Sequence, residues 1–152
     1  MNFNAKQFVL LILTVFILGA CSSAPKFSDV AGKEWLLTEV RIQPNNILFD
    51  RNTLKSEGFE NIFTLNFDAE RLSGTGAPNR YMAPFTLDKK QVIKVEPIAG
   101  TLMAPLREPE KLKEREFFNY IQNANKWNFA NGSFELYTTG EDEAEVVLVF
   151  SL

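Results

Sequence analysis

Hydrophobic and polar residues alternate through several short stretches of the chain, as they do in half-buried strands of an antiparallel sheet. In the first stretch, residues 35–42, the side chains divide between two faces, with Leu36, Thr38, Val40 and Ile42 on one and Trp35, Leu37, Glu39 and Arg41 on the other. In the second, Phe63, Leu65 and Phe67 share a face, and the polar residues 68–71 then turn the chain into another strand. The second stretch therefore predicts a β-hairpin.

Later stretches predict further strands at residues 81–87, 92–95, 127–130, 134–137 and, in a continuous apolar run, 146–150. Charged residues 88–90 separate the first two of these strands. Between the third and the fourth, Asn131-Gly132 supplies the two positive-φ positions of a type I′ hairpin turn. Residues 44–58 contain Pro, Asn and charged side chains without a clear period, which predicts an irregular insertion or loop.

The period changes to that of a helix after Pro109. Glu108 and Glu110 lie near its start, where the helix dipole favours acidic side chains. Apolar residues then recur with the spacing of one helix face at Phe117, Tyr120, Ile121 and Ala124. We therefore predict an α+β fold, mainly antiparallel β, in which a compact barrel-like or curved sheet packs against one α-helix.

The chain contains 14 phenylalanines, and several of them are predicted to point inward. These are Phe63, Phe67, Phe118, Phe129 and Phe134. Core packing is the simplest role for them. The alternative is a cavity that they line and that holds a small apolar ligand.

The N-terminus has the organisation of a signal peptide. One positive charge, Lys6, precedes an apolar run from Phe8 to Ile17, which is too short to span a bilayer comfortably. The string Leu18-Gly19-Ala20-Cys21 resembles the lipobox of bacterial lipoproteins, which implies cleavage before Cys21 and transfer of a diacylglycerol to its sulfur. The alternatives are a buried thiol at Cys21 and a membrane-spanning helix or core strand for the apolar run.

This interpretation divides the chain into a signal peptide at residues 1–20, a lipidated cysteine and tether at residues 21–30, and one domain at residues 31–152. Each buried lipid methylene contributes about 0.8 kcal/mol, so the two or three acyl chains implied by the lipobox resemblance would hold the protein on the membrane. The resemblance to bacterial lipoproteins also implies that Ser22, rather than Asp, after the cysteine favours the outer membrane where the cell has one. We therefore expect a protein of the bacterial cell envelope.

The composition argues against several functions. The net charge is −3, and removal of residues 1–20 takes away Lys6 and no acid, so the remaining domain carries −4. With its basic residues scattered, such a domain is a poor ligand for nucleic acid. The chain has no histidine, and its single cysteine is the predicted lipidation site, which leaves no Ser-His-Asp triad, thiol nucleophile or usual zinc ligands. We expect no catalytic residues, no metal and no cofactor.

Three polar patterns have chemical alternatives. Ser23-Ala24-Pro25-Lys26 matches the S-x-x-K pattern of some serine acyl-transfer enzymes, but it falls in the predicted tether. Glu141-Asp142-Glu143 with Glu145 offers carboxylate oxygens to calcium but lacks the spacing of a calcium loop, so a solvated hairpin loop is expected. Paired acids for glycoside cleavage stay open, although nothing in the sequence positions them.

Four strings of residues together resemble the META domain of HslJ-like bacterial lipoproteins. They are Trp35-Leu36-Leu37, Leu65-Asn66-Phe67, Leu72-Ser73-Gly74-Thr75-Gly76-Ala77-Pro78-Asn79-Arg80-Tyr81 and Ile98-Ala99-Gly100-Thr101-Leu102-Met103-Ala104-Pro105, followed by the helix and its closing hairpin. The resemblance covers most of residues 33–152. It implies a compact, mainly antiparallel β structure with one helix, an envelope location and an association with stress, without an agreed reaction.

The chain departs from the family pattern at Pro78 and Pro105, where the family typically has cysteine. The joint departure implies two positions that lie close in space and the loss of a possible crosslink or thiol site. The neighbouring residues that keep the family strings are Asn79, Arg80, Tyr81, Thr101 and Met103. These five are candidates for a binding motif or a structural motif, and turn chemistry alone accounts for their residue types.

We expect a noncatalytic, lipid-anchored module that contacts the membrane through its anchor and another envelope protein or component through its domain, and that supports stress tolerance. One alternative is a carrier of a small apolar ligand in a β-rich cavity. Another is an inhibitor of a host hydrolase such as lysozyme, since an acidic surface loop would attract a basic enzyme.

Overall fold

The computed structural model describes residues 24–43, 46–140 and 143–152. In chain order the elements are the 3-10 helix Phe27–Asp29, β1 (Glu34–Ile42), β2 (Asn46–Asp50), α1 (Arg51–Ser56), β3 (Thr64–Phe67), β4 (Arg71–Thr75), β5 (Arg80–Asp88), β6 (Val92–Val95), β7 (Ala99–Gly100), α2 (Glu114–Gln122), β8 (Lys126–Ala130), β9 (Ser133–Thr139) and β10 (Glu145–Ser151).

Eight antiparallel strands close into a barrel. Their order is β1, β3, β4, β5, β6, β8, β9 and β10, and β10 pairs with β1 along residues 36–42 of β1 to complete the ring. The shortest join lies between β6 and β8, where Val92 is opposite Lys126. Outside the ring, β2 pairs with the second half of β1 and β7 pairs with the start of β5. The predicted mainly antiparallel, barrel-like sheet is confirmed.

Local turn chemistry closes the hairpins that the sequence predicts. In the turn between β3 and β4, the Asp68 carboxylate accepts hydrogen bonds from the backbone N–H groups of Glu70 and Arg71 at 2.9 and 2.7 Å. Between β8 and β9, Asn131 and Gly132 have φ values of 53° and 80°, as a type I′ turn requires. Both hairpins are present because a few adjacent residues determine them.

A β-bulge in β1 corrects the predicted division of its faces. Strict alternation would place Trp35 and Val40 on opposite faces, but Trp35, Leu37 and Val40 are all fully buried. The register of β1 against β10 shifts between Leu37 and Glu39. The extra residue reverses the alternation there and returns Val40 to the barrel interior.

Large side chains fill the barrel. The aromatic residues with no exposed surface are Trp35, Phe63, Phe67, Phe117, Phe134 and Phe150. Their rings meet at the edge or tilted, and Phe67 and Phe134, for example, lie edge to face with centroids 5.4 Å apart. Phe118 and Phe129 are only partly buried and pack against this core from its margin. The five phenylalanines singled out in the sequence therefore all pack in or against the core.

Different elements cover the two ends of the barrel. Phe27, in the 3-10 helix, contacts Phe67 at the end of β3, with ring centroids 5.0 Å apart. Phe117, in α2, contacts Phe63 just before the start of β3, with centroids 4.7 Å apart. The 3-10 helix therefore covers one end of the barrel, and α2 covers the other.

The segment between β1 and β3 is more regular than the sequence predicts. It contains β2 and α1, and the Asp50 side chain begins the helix by accepting a hydrogen bond from the Thr53 backbone N–H at 3.0 Å. Leu54 anchors the helix in the core at 1% exposure. The predicted irregular insertion is therefore wrong for residues 46–56, and the described part of the chain has two short α-helices rather than one.

The longer helix begins later than predicted, at Glu114 rather than near Pro109. Lys113 has an extended backbone, with φ −81° and ψ 151°, and ends the preceding irregular segment. That segment is held toward α1 because the Glu110 backbone N–H donates to Glu57 Oε2 at 2.9 Å. The apolar residues predicted to face the core are nevertheless all buried, namely Phe117, Tyr120, Ile121 and Ala124.

Some predictions fall outside the described residues. They concern Cys21 with the predicted signal peptide, and residues 141–142 of the acidic loop. Among the residues that are described, no helix is both long enough and apolar enough to cross a membrane.

Candidate functional site

The side chain of Asn79 joins two segments that are distant in sequence. Its Oδ1 accepts hydrogen bonds from the Thr101 hydroxyl and from the Met103 backbone N–H, both at 2.7 Å. Its Nδ2 donates to the Met103 carbonyl at 3.1 Å and to Glu114 Oε1 at 2.6 Å. A carboxamide has two acceptor positions and two donor positions, and Asn79, 6% exposed, uses all four.

Glu114, the first residue of α2, completes this arrangement. Its Oε2 accepts the backbone N–H groups of Ala77 and Asn79 at 2.5 and 2.6 Å, so three donors converge on one carboxylate. Gly76 makes the close approach possible, because a Cβ there would lie 2.7 Å from Glu114 Oε2 and 2.8 Å from the Phe118 ring. We call Asn79, Thr101, Met103 and Glu114 the polar hub.

The other two residues of the predicted motif, Arg80 and Tyr81, lie on opposite faces of β5. The Arg80 backbone N–H donates to the Thr101 hydroxyl oxygen at 3.2 Å, while the residue itself is exposed. Tyr81 is buried inside the barrel, where its hydroxyl donates to the Thr64 carbonyl at 2.8 Å, and burial raises the pKa of Tyr81. Tyr81 is therefore a core residue, and Arg80 contributes to the hub through its backbone.

Glu114 is the hub residue that the sequence interpretation missed. With the helix predicted from Pro109, Glu114 would lie within the helix rather than at its first residue. The strings that contain Pro78 and Pro105 do meet, since Asn79 bonds Met103, and Asn79 and Pro105 line one groove of about 380 Å³ beside α2. The spatial proximity of the two strings was predictable from the family resemblance, whereas the carboxylate between them was not.

The hub holds a loop that exposes large apolar side chains. Leu102 and Leu106 are completely exposed, and Met103 is 54% exposed; we call these three residues the apolar rim. The far side of the loop is also fixed, because the Arg107 guanidinium donates to the Glu57 carbonyl and the Glu110 N–H donates to the Glu57 carboxylate. The rim is thus presented on a loop that is bonded to Asn79 before it and to Glu57, at the end of α1, after it.

A second polar cluster lies on the outer face of the barrel. Glu135 Oε2 accepts hydrogen bonds from Asn128 Nδ2 at 3.1 Å and from the Tyr137 hydroxyl at 2.8 Å. Arg41 lies 3.8 Å from the other oxygen of Glu135. Burial, with the hydrogen bond and the negative charge of Glu135, raises the pKa of Tyr137 to about 12.

This raised pKa predicts an alkaline transition. The folded protein favours the neutral phenol, so the stabilising contribution is complete below the unfolded tyrosine pKa, about 10, and is lost as the pH rises toward 12. The tyrosinate absorbance of the protein minus that of Tyr137→Phe should give a midpoint near 12, and Glu135→Gln should lower it. A Glu96→Gln control should leave it unchanged. A midpoint near the ordinary value in the unmodified protein would contradict the assignment.

Acidic side chains are the candidate metal ligands in this sequence, and the structure describes most of them. Within residues 24–43, 46–140 and 143–152, no group of three or more acidic or cysteine side chains has an arrangement suited to a metal ion. Glu143 and Glu145 belong to these ranges, whereas residues 141 and 142 of the proposed calcium alternative do not. The best-defined feature of the site is the surface loop that the polar hub fixes through Thr101 and Met103.

The barrel, its covering helix and the polar hub define the class of protein, a small antiparallel β-barrel domain. A model of the META domain family matches residues 28–151, and the chain belongs to this family. A comparison with curated protein sequences gives no significant match.

Two solved structures have a similar fold. A DUF4847 family protein from Bacteroides vulgatus has a TM-score of 0.56 and 14% identity over 82% of this chain and 95% of that one. A protein from Burkholderia xenovorans has a TM-score of 0.58 and 16% identity over 86% of this chain and 93% of that one. At these identities the similarity shows a shared barrel fold.

Proposed function

We propose that the protein is a noncatalytic binding module of the bacterial cell envelope, lipid-anchored at Cys21, which contacts another envelope protein through the apolar rim and so supports stress tolerance. The observation that carries the proposal is the full exposure of Leu102 and Leu106 on a loop fixed by the polar hub. The anchor rests on the resemblance of residues 18–21 to a lipobox, and the envelope role on membership of the META domain family.

The exposed leucines offer binding free energy to a partner. Covering one leucine side chain contributes roughly 1.5–3 kcal/mol, so Leu102 and Leu106 together would contribute roughly 3–6 kcal/mol to binding. Because Met103 is hydrogen-bonded to Asn79 through both its N–H and its carbonyl, little backbone order has to be created on binding. A preformed surface loses less conformational entropy than a flexible one.

The direction of the rim also favours a partner away from the anchoring bilayer. The 3-10 helix with Phe27 covers the barrel end at Phe67. The rim lies toward the other end, because Met103 is bonded to Asn79, which in turn donates to Glu114 at the start of α2. Residues 21–27 can extend by roughly 20 Å at most, which would hold the Phe67 end near the membrane. The rim would then face the aqueous side.

Ligand carriage receives less support from the barrel. Its interior is filled by Trp35, Phe134 and other buried side chains, and the grooves beside the hub are open to solvent. The same phenylalanines cannot both pack against one another and line a sizeable cavity. A protein-binding surface therefore accounts for the described residues better than an internal ligand site.

Site-specific photocrosslinking in living cells tests the proposal. A photoreactive amino acid replaces residue 102 or 106 in the full chain, and matched controls carry it at Leu87 or Val92, which are 41% and 42% exposed elsewhere on the barrel. Positions 102 and 106 should capture the same discrete protein, and Leu102→Ser with Leu106→Ser should weaken its binding by about a hundredfold.

Two outcomes would contradict the proposal. If the same crosslinked proteins were captured at positions 102, 106, 87 and 92, the apolar rim would not be a specific binding surface. Cys21→Ala should leave an unlipidated, mislocalised precursor and reduce capture, so a Cys21→Ala chain that stays anchored and normally processed would refute the lipid anchor.

A further inference from the structure

A groove of about 610 Å³ lies on the other side of α2, between one face of that helix and the end of β9. Its volume falls within the range of ligand pockets, roughly 300–1,000 Å³. Its charged and polar side chains are Lys113, Arg115, Glu116, Asn119, Asn123 and Thr139, and two of them, Arg115 and Asn119, also line the groove beside the polar hub. None of them belongs to the polar hub or the apolar rim.

The floor of this groove is well ordered. Tyr120 is 9% exposed, and its hydroxyl donates to Glu116 Oε1 at 2.8 Å across one turn of α2. Gly140 closes the opposite side, where a Cβ would come within 2.8 Å of Val146 and 3.9 Å of the Tyr120 ring. The helix and the end of β9 are therefore packed tightly beneath the groove.

The walls carry polar groups that the protein itself leaves available. Asn119 and Asn123 are one helical turn apart and both are exposed, so their carboxamides project from the same face. In the described part of the chain, neither side chain makes a hydrogen bond to another protein group. With the Thr139 hydroxyl, they offer both donors and acceptors to a ligand.

Positive charge lies at the N-terminal end of the groove. Lys113 and Arg115 flank the first residue of α2, and neither forms an ion pair with any residue that the structure describes. Arg115 can bind a carboxylate through two parallel hydrogen bonds. The groove thus combines a site for a carboxylate with neutral carboxamides farther along the helix.

We propose that this groove binds a carboxylated oligosaccharide. The neutral carboxamides and Thr139 suit a ligand rich in hydroxyl groups, and Lys113 and Arg115 suit its carboxylate. The inference goes beyond the proposed function, because the groove uses residues distinct from the apolar rim and binding there does not require the lipid anchor.

Titration calorimetry on the full-length protein in detergent tests this inference. The probe is a tetrasaccharide of alternating N-acetylglucosamine and glucuronic acid, and the neutral tetramer of N-acetylglucosamine is its matched control. The carboxylated sugar should bind about tenfold more tightly, and Asn119→Ala and Arg115→Ala should each weaken its binding by about tenfold.

Matched variants on α1 control for general effects of surface substitution. Asn52→Ala and Lys55→Ala remove an exposed carboxamide and an exposed cation from the other helix, and both should leave affinity unchanged. Equal affinity for the two sugars would show that Lys113 and Arg115 do not bind the carboxylate, which would contradict the proposal. No binding of the carboxylated sugar at millimolar concentration, or equal losses in the α1 and α2 variants, would overturn the proposal.

Discussion

Replacing Gly74 with alanine should destabilise the protein by about 3 kcal/mol or more. An added Cβ would lie 2.0 Å from the Thr64 carbonyl oxygen and 2.8 Å from the Tyr81 ring. The first obstacle is backbone in the adjacent strand, so no side-chain rotation relieves the overlap. Displacing that carbonyl would also disturb the hydrogen bond that it accepts from the Tyr81 hydroxyl.

Urea denaturation followed by tryptophan fluorescence measures this loss, since Trp35 and Trp127 are both buried. Gly100→Ala is the matched control, because its Cβ would meet the Arg80 carbonyl oxygen at 3.4 Å and Phe118 at 3.7 Å, which are ordinary contacts. The control should change the free energy of unfolding by under about 1 kcal/mol. Similar losses in both variants would contradict the close approach of β4 to β3.

Glu114→Ala should lower the free energy of unfolding by about 2–4 kcal/mol. It removes the acceptor for three donors, the Ala77 and Asn79 backbone N–H groups and Asn79 Nδ2. Glu114→Gln should restore only part of the loss. A carboxamide has one oxygen and one NH₂ group, and the NH₂ group must face either the Asn79 amide or the two backbone donors.

Glu116→Ala is the control for this second prediction. It removes another carboxylate from the first turn of α2, but one that accepts a hydrogen bond only from the Tyr120 hydroxyl among the bonds described. Glu116→Ala should lower the free energy of unfolding by about 1 kcal/mol. If denaturation gave Glu114→Ala and Glu116→Ala the same free energy of unfolding, the three hydrogen bonds that Glu114 accepts would not stabilise the fold.

Local chemistry explains which parts of the fold could be predicted. Asp68 and Asn131-Gly132 determine their turns through adjacent backbone groups, so both hairpins are visible in the sequence. The bulge at Thr38 is not, because it depends on the register of β1 against β10 across the whole length of the chain. The start of α2 is not visible in the sequence either, since the segment before it is extended at Lys113 and Glu110 within it is bonded to Glu57, just after α1.

The candidate site was predictable to a similar extent. The family resemblance drew attention to Asn79, Thr101 and Met103, and the structure brings these three together. Residue type alone could not separate Tyr81, whose side chain is in the core, from Arg80, which is exposed. The sequence does not reveal the role of Glu114, because that role depends on three donors that only the tertiary fold places around its carboxylate.

Hydrogen exchange at the Met103 amide measures whether the polar hub fixes the loop that carries the apolar rim. That N–H donates to Asn79 Oδ1 at 2.7 Å. It should exchange about a hundredfold more slowly than an unprotected amide. In Glu114→Gln the protection should fall at Met103 while amides of the central strand β10 stay protected. Exchange at the unprotected rate in the unmodified protein would contradict a fixed rim.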